Sequence, residues 1–312
     1  MLFTQIIILV IGLVLLYFGS ELLVRGASST ALMFAVKPVI VGLTIVSFAT
    51  SAPELLVSLV AALKGSGDIS VGNILGSNVI NIALVLGISA IIRKVTIKKQ
   101  INKFDLPFMI VISIIFWIQC LDNKIGYLDG IILLTLLFIY LLISIFNAKI
   151  KDKNDIKIDK SLKKFLKNAG FIIIGIFSLA YGANLVVQNA ILIAKTIGLS
   201  EVFIGISIVA LGTSLPELAT SAVAAAKGES DISVGNVVGS NIFNICLVMG
   251  VVGIFNPTPV NNSLLYFEIP FMVFLSIILY IISMRYKIIS ARSGAAFIVF
   301  FLIYNIISYT KL

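Results

Sequence analysis

The chain contains itself twice. Residues 40–87 and 203–250 align without a gap at an offset of 163, with 28 of 48 positions identical. A repeat of this kind constrains the fold before any motif is read, because each copy must form the same local unit. The first copy holds VSFATSAPELLVS and then KGSGDISVGNILGSNVINIALVLG. The second holds VALGTSLPELATS and then KGESDISVGNVVGSNIFNICLVMG. The register extends upstream, where Gly19 matches Gly182, and Gly42 matches Gly205.

Both copies lie in apolar sequence. The 312 residues are 60% apolar and 12% charged. Soluble domains carry about twice that charge, so a soluble enzyme and a disordered chain are both excluded. A spanning helix needs about 20 mostly apolar residues. Ten stretches qualify: 3–24, 37–63, 70–92, 105–121, 127–147, 168–188, 201–226, 233–255, 267–284 and 291–309. Five spans separate the equivalent helices. Five is odd, so the two copies cross the membrane in opposite directions. The expected fold is an all-α integral membrane protein: ten transmembrane helices in two inverted five-helix repeats, with broken helices at a midplane site. The expected division is residues 1–148, a basic linker over 149–167, and residues 168–312, together forming one transport domain. The N-terminus has no basic residue before Arg25, so it reads as a retained first helix rather than a signal peptide.

The net charge of +9 is a topological signal. With the N-terminus outside, 19 of 23 basic residues fall on the inner side, among them the eight lysines between Lys149 and Lys167. Basic residues concentrate in cytoplasmic loops. Both termini are therefore expected outside a cytoplasmic membrane and the linker inside, solvated. This distribution gives no support to nucleic-acid binding. The chain has no histidine, which removes imidazole metal sites and histidine-based catalysis. Cys120 and Cys246 lie in apolar runs and are expected to pack in the core.

Glu54 and Glu217 stand inside apolar spans. A carboxylate at the bilayer centre costs at least about 2.5–3.5 kcal/mol, and two at one site repel unless a cation or proton lies between them. Each ends an S-x-x-E motif with an internal proline, Ser51–Glu54 and Ser214–Glu217. Proline cannot donate to the carbonyl four residues earlier, which frees backbone oxygen near Ala49 and Gly212. Carbonyls, hydroxyls and carboxylates are hard ligands suited to Ca2+ or Na+. A capping box at a helix kink is the structural alternative. The next helix adds Asn73, Ser77 and Asn81 on one face, repeated as Asn236, Ser240 and Asn244; packing through small and polar residues is the alternative for these. Asp68 and Asp231 are expected to cap helices, and Glu21, whose repeat mate is Asn184, to serve at the surface. Among the 14 acids, Glu54 and Glu217 read as the only repeat-matched pair deep within the spans.

The paired GTSxPE-type motifs, each followed by GNxxGSNxxN, resemble the two alpha-repeats of the cation/calcium antiporter superfamily. Within it the chain is most similar to prokaryotic sodium/calcium exchangers. The resemblance covers nearly the whole chain. It implies antiport of Na+ against Ca2+ by alternating access, with no cofactor, no enzymatic activity and no obligatory protein partner. It implies that Glu54 and Glu217 are shared by both ions and that the carbonyls of Thr50 and Thr213 complete a central calcium site. Ser51, Ser77, Ser214 and Ser240 would serve flanking sodium sites with backbone oxygen at Ser47 and Ala210. Asn81 and Asn244 would line the middle. It also implies that the first and sixth helices slide across the rest. Two departures stand out: Ala49 replaces the usual glycine, and Asn244 stands where many members have aspartate. H+/Ca2+ antiport on the same fold is the main alternative. A passive channel or an intramembrane acid–base enzyme would each use the glutamates differently.

Overall fold

The computed structural model describes residues 2–146, 161–196 and 210–311. Within them the regular structure is helical apart from four two-residue strands. The helices are α1 (Leu2–Met33), α2 (Pro38–Thr50), α3 (Ala52–Leu63), α4 (Gly67–Ile92), α5 (Ile101–Asp122) and α6 (Tyr127–Phe146). The second half has α7 (Leu162–Thr196), α8 (Ala210–Thr213), α9 (Leu215–Ala226), α10 (Ser230–Phe255), α11 (Leu264–Tyr286) and α12 (Ala291–Lys311). Eight of these are long and apolar enough to span a membrane, and α2 with α3 forms a ninth span bent by 43°. α8 and α9 repeat that bent unit; the front of the expected 201–226 span, with Gly205, lies outside the described residues.

Proline and glycine place the breaks. Pro38, Pro53 and Pro216 each sit in the first turn of a helix, where a missing N–H is harmless; Pro107 and Pro270 lie inside α5 and α11, just after their π-helical turns. Gly65 and Gly228 adopt left-handed backbone, φ +78° and +82°. They end α3 and α9 with paired bonds, Ser66 N to Ala61 O and Glu229 N to Ala224 O, and turn the chain tightly into α4 and α10. Asp68 and Asp231 do not cap. The cap positions are Ser66 and Glu229, and neither uses its side chain as a cap.

Two helices run well past their expected ends. α1 continues to Met33 and α7 begins at Leu162, so the last residues of the expected linker are helical; its residues 149–160 lie outside the described set. Ser161 starts α7 by accepting the Lys164 N–H at 3.3 Å, which is N-capping. α1 and α7 pack antiparallel through glycines seven apart. A Cβ on Gly12 would lie 2.9 Å from Gly182 O, and one on Gly19 would lie 3.1 Å from Gly175 O. Such small residues let backbones approach where lipid offers no hydrophobic drive. The pair meets the remaining helices through its own apolar cluster, which includes Leu23, Ala27, Val46, Leu179, Ala224 and Ile232. A separate, larger core joins α4, α5, α6, α10, α11 and α12. Cys120 and Cys246 are buried in it, as expected.

Two ribbons tie the repeats together. Val95–Thr96 (β1) pairs antiparallel with Ile288–Ile289 (β4), and Lys124–Ile125 (β2) pairs with Thr258–Pro259 (β3). Each ribbon takes one strand from each half.

Candidate functional site

The two broken units face one another, and their polar contacts occur in exchanged pairs. Ser51 Oγ donates to Glu217 Oε1 at 3.3 Å, and Ser214 Oγ to Glu54 Oε1 at 3.5 Å. Thr50 Oγ1 donates to Asn236 Oδ1 at 3.1 Å, and Thr213 Oγ1 to Asn73 Oδ1 at 3.4 Å. Asn73 Nδ2 reaches Ser58 Oγ at 3.0 Å, and Asn236 Nδ2 reaches Ser221 Oγ at 2.9 Å. Asn81 Nδ2 donates to Asn241 Oδ1 and Asn244 Nδ2 to Asn78 Oδ1, both at 3.0 Å. Every pair maps onto its partner by the offset of 163. The hydrogen bonds thus carry an internal two-fold relation between antiparallel halves.

The serines of the S-x-x-E motifs do not form capping boxes. Ser51 and Ser214 hold the cap positions of α3 and α9, but neither side chain caps its helix. Their hydroxyls cross instead to the glutamate of the other repeat. The backbone opens at the same place. The helical ladder resumes at Ser51 O, bonded by Leu55 N at 3.2 Å, and at Ser214 O, bonded by Leu218 N at 3.0 Å. The carbonyls of Thr50 and Thr213, one residue earlier, take no amide from the fourth residue on.

Glu54 and Glu217 are fully buried and interact electrostatically. Their donors are hydroxyls at 3.3–3.5 Å, too long to satisfy a buried carboxylate. Glu54 Oε2 and Glu217 Oε2 are buried and accept no hydrogen bond; so are Asn81 Oδ1 and Asn244 Oδ1. Each asparagine commits its amide nitrogen to the opposite helix, which turns its oxygen away from that bond. The result is two carboxylate and two amide oxygens without donors, symmetric across the repeats. An arrangement of acceptors lacking donors fits a hard cation. Among the described residues no cluster of three or more acids or cysteines is present, so neutral oxygens must supply the remaining ligands.

The other expected residues fall nearby or aside. Ser77 Oγ touches both Glu54 Oε1 and Ser214 Oγ, at 3.5 and 3.2 Å. Ser240 Oγ lies 3.3 Å from Thr50 Oγ1. The Ser47 carbonyl is already engaged by Ser51 N and Thr50 Oγ1, while its hydroxyl donates to Gly42 O at 2.7 Å. Ala210 opens α8, at the edge of the described residues. Asn73 and Asn236 bridge helices, which is the packing role.

Sequence reasoning missed a second buried acid pair. Asp105 and Glu268 are related by the same offset and end equivalent π-helical turns, 101–105 and 264–268. Tyr140 donates to Asp105 Oδ1 at 3.1 Å and stacks on Phe104 and Phe108. Tyr304 stacks on Phe267 and Phe271, and Ser308 donates to Glu268 Oε1 at 2.8 Å. The signal was FDLPF against FEIPF, beyond the end of the aligned window. Further π turns begin at Asn81 and Asn244; such insertions often mark functional positions.

A sodium/calcium exchanger protein family model matches residues 4–146 and 167–310. The chain belongs to the sodium/calcium exchanger family. It is accordingly a multi-pass membrane transporter and not an enzyme. This exchanger is similar over its length to curated relatives. It is 35% identical to the inner membrane protein YrbG of Escherichia coli over 286 residues, covering 89% of this chain and 88% of the relative. It is 28% identical to the sodium/calcium exchanger MaX1 of Methanosarcina acetivorans, covering 90% and 91%. A solved structure of the sodium-calcium exchanger NCX_Mj superposes with a TM-score of 0.85 at 32% identity, over 97% of the exchanger and 98% of that chain.

Proposed function

We propose that this exchanger moves Ca2+ against Na+ across the cytoplasmic membrane by alternating access, with Ca2+ extrusion as the usual direction. The observation that carries this is the set of four donorless buried oxygens on Glu54, Glu217, Asn81 and Asn244. Two buried carboxylates without a basic partner need positive charge at the same depth. One Ca2+ or several Na+ meet that need, so each ion displaces the other. Glu54 and Glu217 are the shared ligands, with the carbonyls of Thr50 and Thr213 completing the calcium site. Ser51, Ser77, Ser214 and Ser240 serve the flanking sodium sites together with backbone oxygen at Ser47 and Ala210. Asn81 and Asn244 line the middle. An ion-free site leaves the carboxylates repelling one another and resists the change of access. The family name and the sodium-calcium exchanger among the similar structures support the choice of ions. The distribution of basic residues supports a cytoplasmic linker and external termini.

The test is Ca2+ uptake into proteoliposomes loaded with sodium, potassium, a proton gradient or none. Sodium-loaded vesicles should accumulate Ca2+. Glu54→Gln and Glu217→Gln should each abolish that uptake while the protein stays monodisperse. Uptake that ignores sodium and follows the proton gradient would instead establish H+/Ca2+ exchange.

A further inference from the structure

The two-fold relation that orders the site breaks down at the two faces of the molecule. On the face bearing Lys227, the end of α1 is tied to the α9–α10 turn. Lys227 Nζ lies 2.8 Å from Glu21 Oε1, and Ser28 Oγ donates to Glu229 Oε1 at 3.1 Å. Beside this contact Lys98 pairs with Asp231, and Arg93 Nη1 donates to Ala226 O at 3.3 Å. The repeat-equivalent positions on the other face carry less charge. Asn184 stands for Glu21 opposite Lys64, and Asn261 stands for Lys98 opposite Asp68. Asn256 stands for Arg93 and reaches Ala62 O. Ile191 and Ser66 replace Ser28 and Glu229.

Packing follows the same asymmetry. α1 lies closely along α9, whereas α7, its equivalent, scarcely touches α3 among the described residues. Ala224 on α9 is fully buried in the α1–α7 cluster, and its mate Ala61 is only half-buried. Thr220 is 0% exposed, against 36% for its mate Val57. Among the described residues the face with the ion pair is closely packed, and the face where asparagine replaces the acid is less so.

We propose that Glu21 and Lys227 form a one-sided latch. It holds the α1–α7 unit against the Lys227 face and biases the resting exchanger toward opening on the opposite face. This rests on the alternating-access reading above. The latch borders a hollow of about 280 Å3 lined by Val24, Arg25, Ser28, Ser29, Leu32, Lys227 and Glu229. The Glu21 and Lys227 side chains beside it are 27% and 33% exposed. A partly exposed pair is weak, which suits a contact that must break in every cycle. A second hollow of about 480 Å3 on the same face contains Lys37, Lys98 and Lys99. Lys98 is held there by Asp231 and Lys37 by Gln100, so this hollow extends the charged seam within the body.

The experiment measures cysteine reactivity in detergent, without ion gradients, with Cys120 and Cys246 replaced by alanine. Ala31→Cys probes the cluster beneath α1 on the latched face. Ala61→Cys probes the loose face. Glu21→Gln or Lys227→Gln should make Ala31→Cys react roughly two- to fivefold faster, the shift expected of a weak ion pair. The same variants should slow Ala61→Cys. Asn184→Glu gives Lys64 an acid partner, so it should move both probes in the same directions; Asn184→Gln should not. Faster labelling of Ala31→Cys with Ala61→Cys unchanged would mean local loosening and would overturn the latch, as would no response to Asn184→Glu. Labelling reports access rather than flux, so it stands or falls apart from the identity of the coupled ion.

Discussion

Asn244 donates its amide to Asn78 and leaves its own oxygen without a donor. Aspartate at this position could make the bond to Asn78 Oδ1 only while holding a proton. Asn244→Asp should therefore transport best in acid and lose Ca2+ flux as pH rises, with a steeper profile than the parent protein. A Ca2+ uptake series across the neutral range measures this, and equal profiles would remove the position from the site. Glu54, Glu217 and their serines were legible because both repeats spell the same polar motif inside apolar sequence. Asp105 and Glu268 were not. They differ in identity, stand near the ends of their expected spans, and have partners, Tyr140 and Tyr304, some 35 residues away. Burial and that aromatic box, rather than local pattern, reveal them. Asn78 and Asn241 were passed over because they sit one residue off the polar stripe, yet they fix the orientation of Asn244 and Asn81.

The order of the described helices could be read from hydropathy, but their lengths could not. α1 runs through Glu21 and Arg25, residues that mark a membrane boundary on composition alone. Glu21 lies within that helix and pairs with Lys227, 206 positions away. The π turns leave composition unchanged, and one extra residue in a turn shows only as a shift in the phase of the apolar face. The glycines of α1 and α7 were visible as repeat mates, but their meaning depends on which helices meet. Their packing makes a definite claim. A Cβ at Gly19 would lie 2.8 Å from Ser178 Cβ and 3.0 Å from Leu179 N, and backbone cannot move aside as a side-chain tip can. Gly19→Leu should lower thermal stability by about 1–3 kcal/mol, the usual scale of overpacking, and slow transport by spreading α1 from α7. A melting curve beside a flux assay would show it; unchanged values in both would mean that the crossing is not tight.

The whole molecule joins two halves that are alike in their centre and unlike at their faces. The orientation proposed above rests on the excess of basic residues on one side. An impermeant thiol reagent added to spheroplasts should label Asp122→Cys and spare Arg285→Cys, each in a cysteine-free background. The reverse pattern would invert the assignment and with it the side that the latch closes. The ribbons carry a consequence for how the protein is made. β1 leaves the ribosome early, but its strand partner, Ile288–Ile289, follows roughly 190 residues later. At about 5–20 residues per second that interval is on the order of 10–40 s. Throughout it, the first half waits with its edge strand unpaired, and for most of it Glu54 also lacks Ser214, the serine that reaches it from the second half. Quality control in the membrane has that window in which to mistake a healthy nascent exchanger for a damaged one.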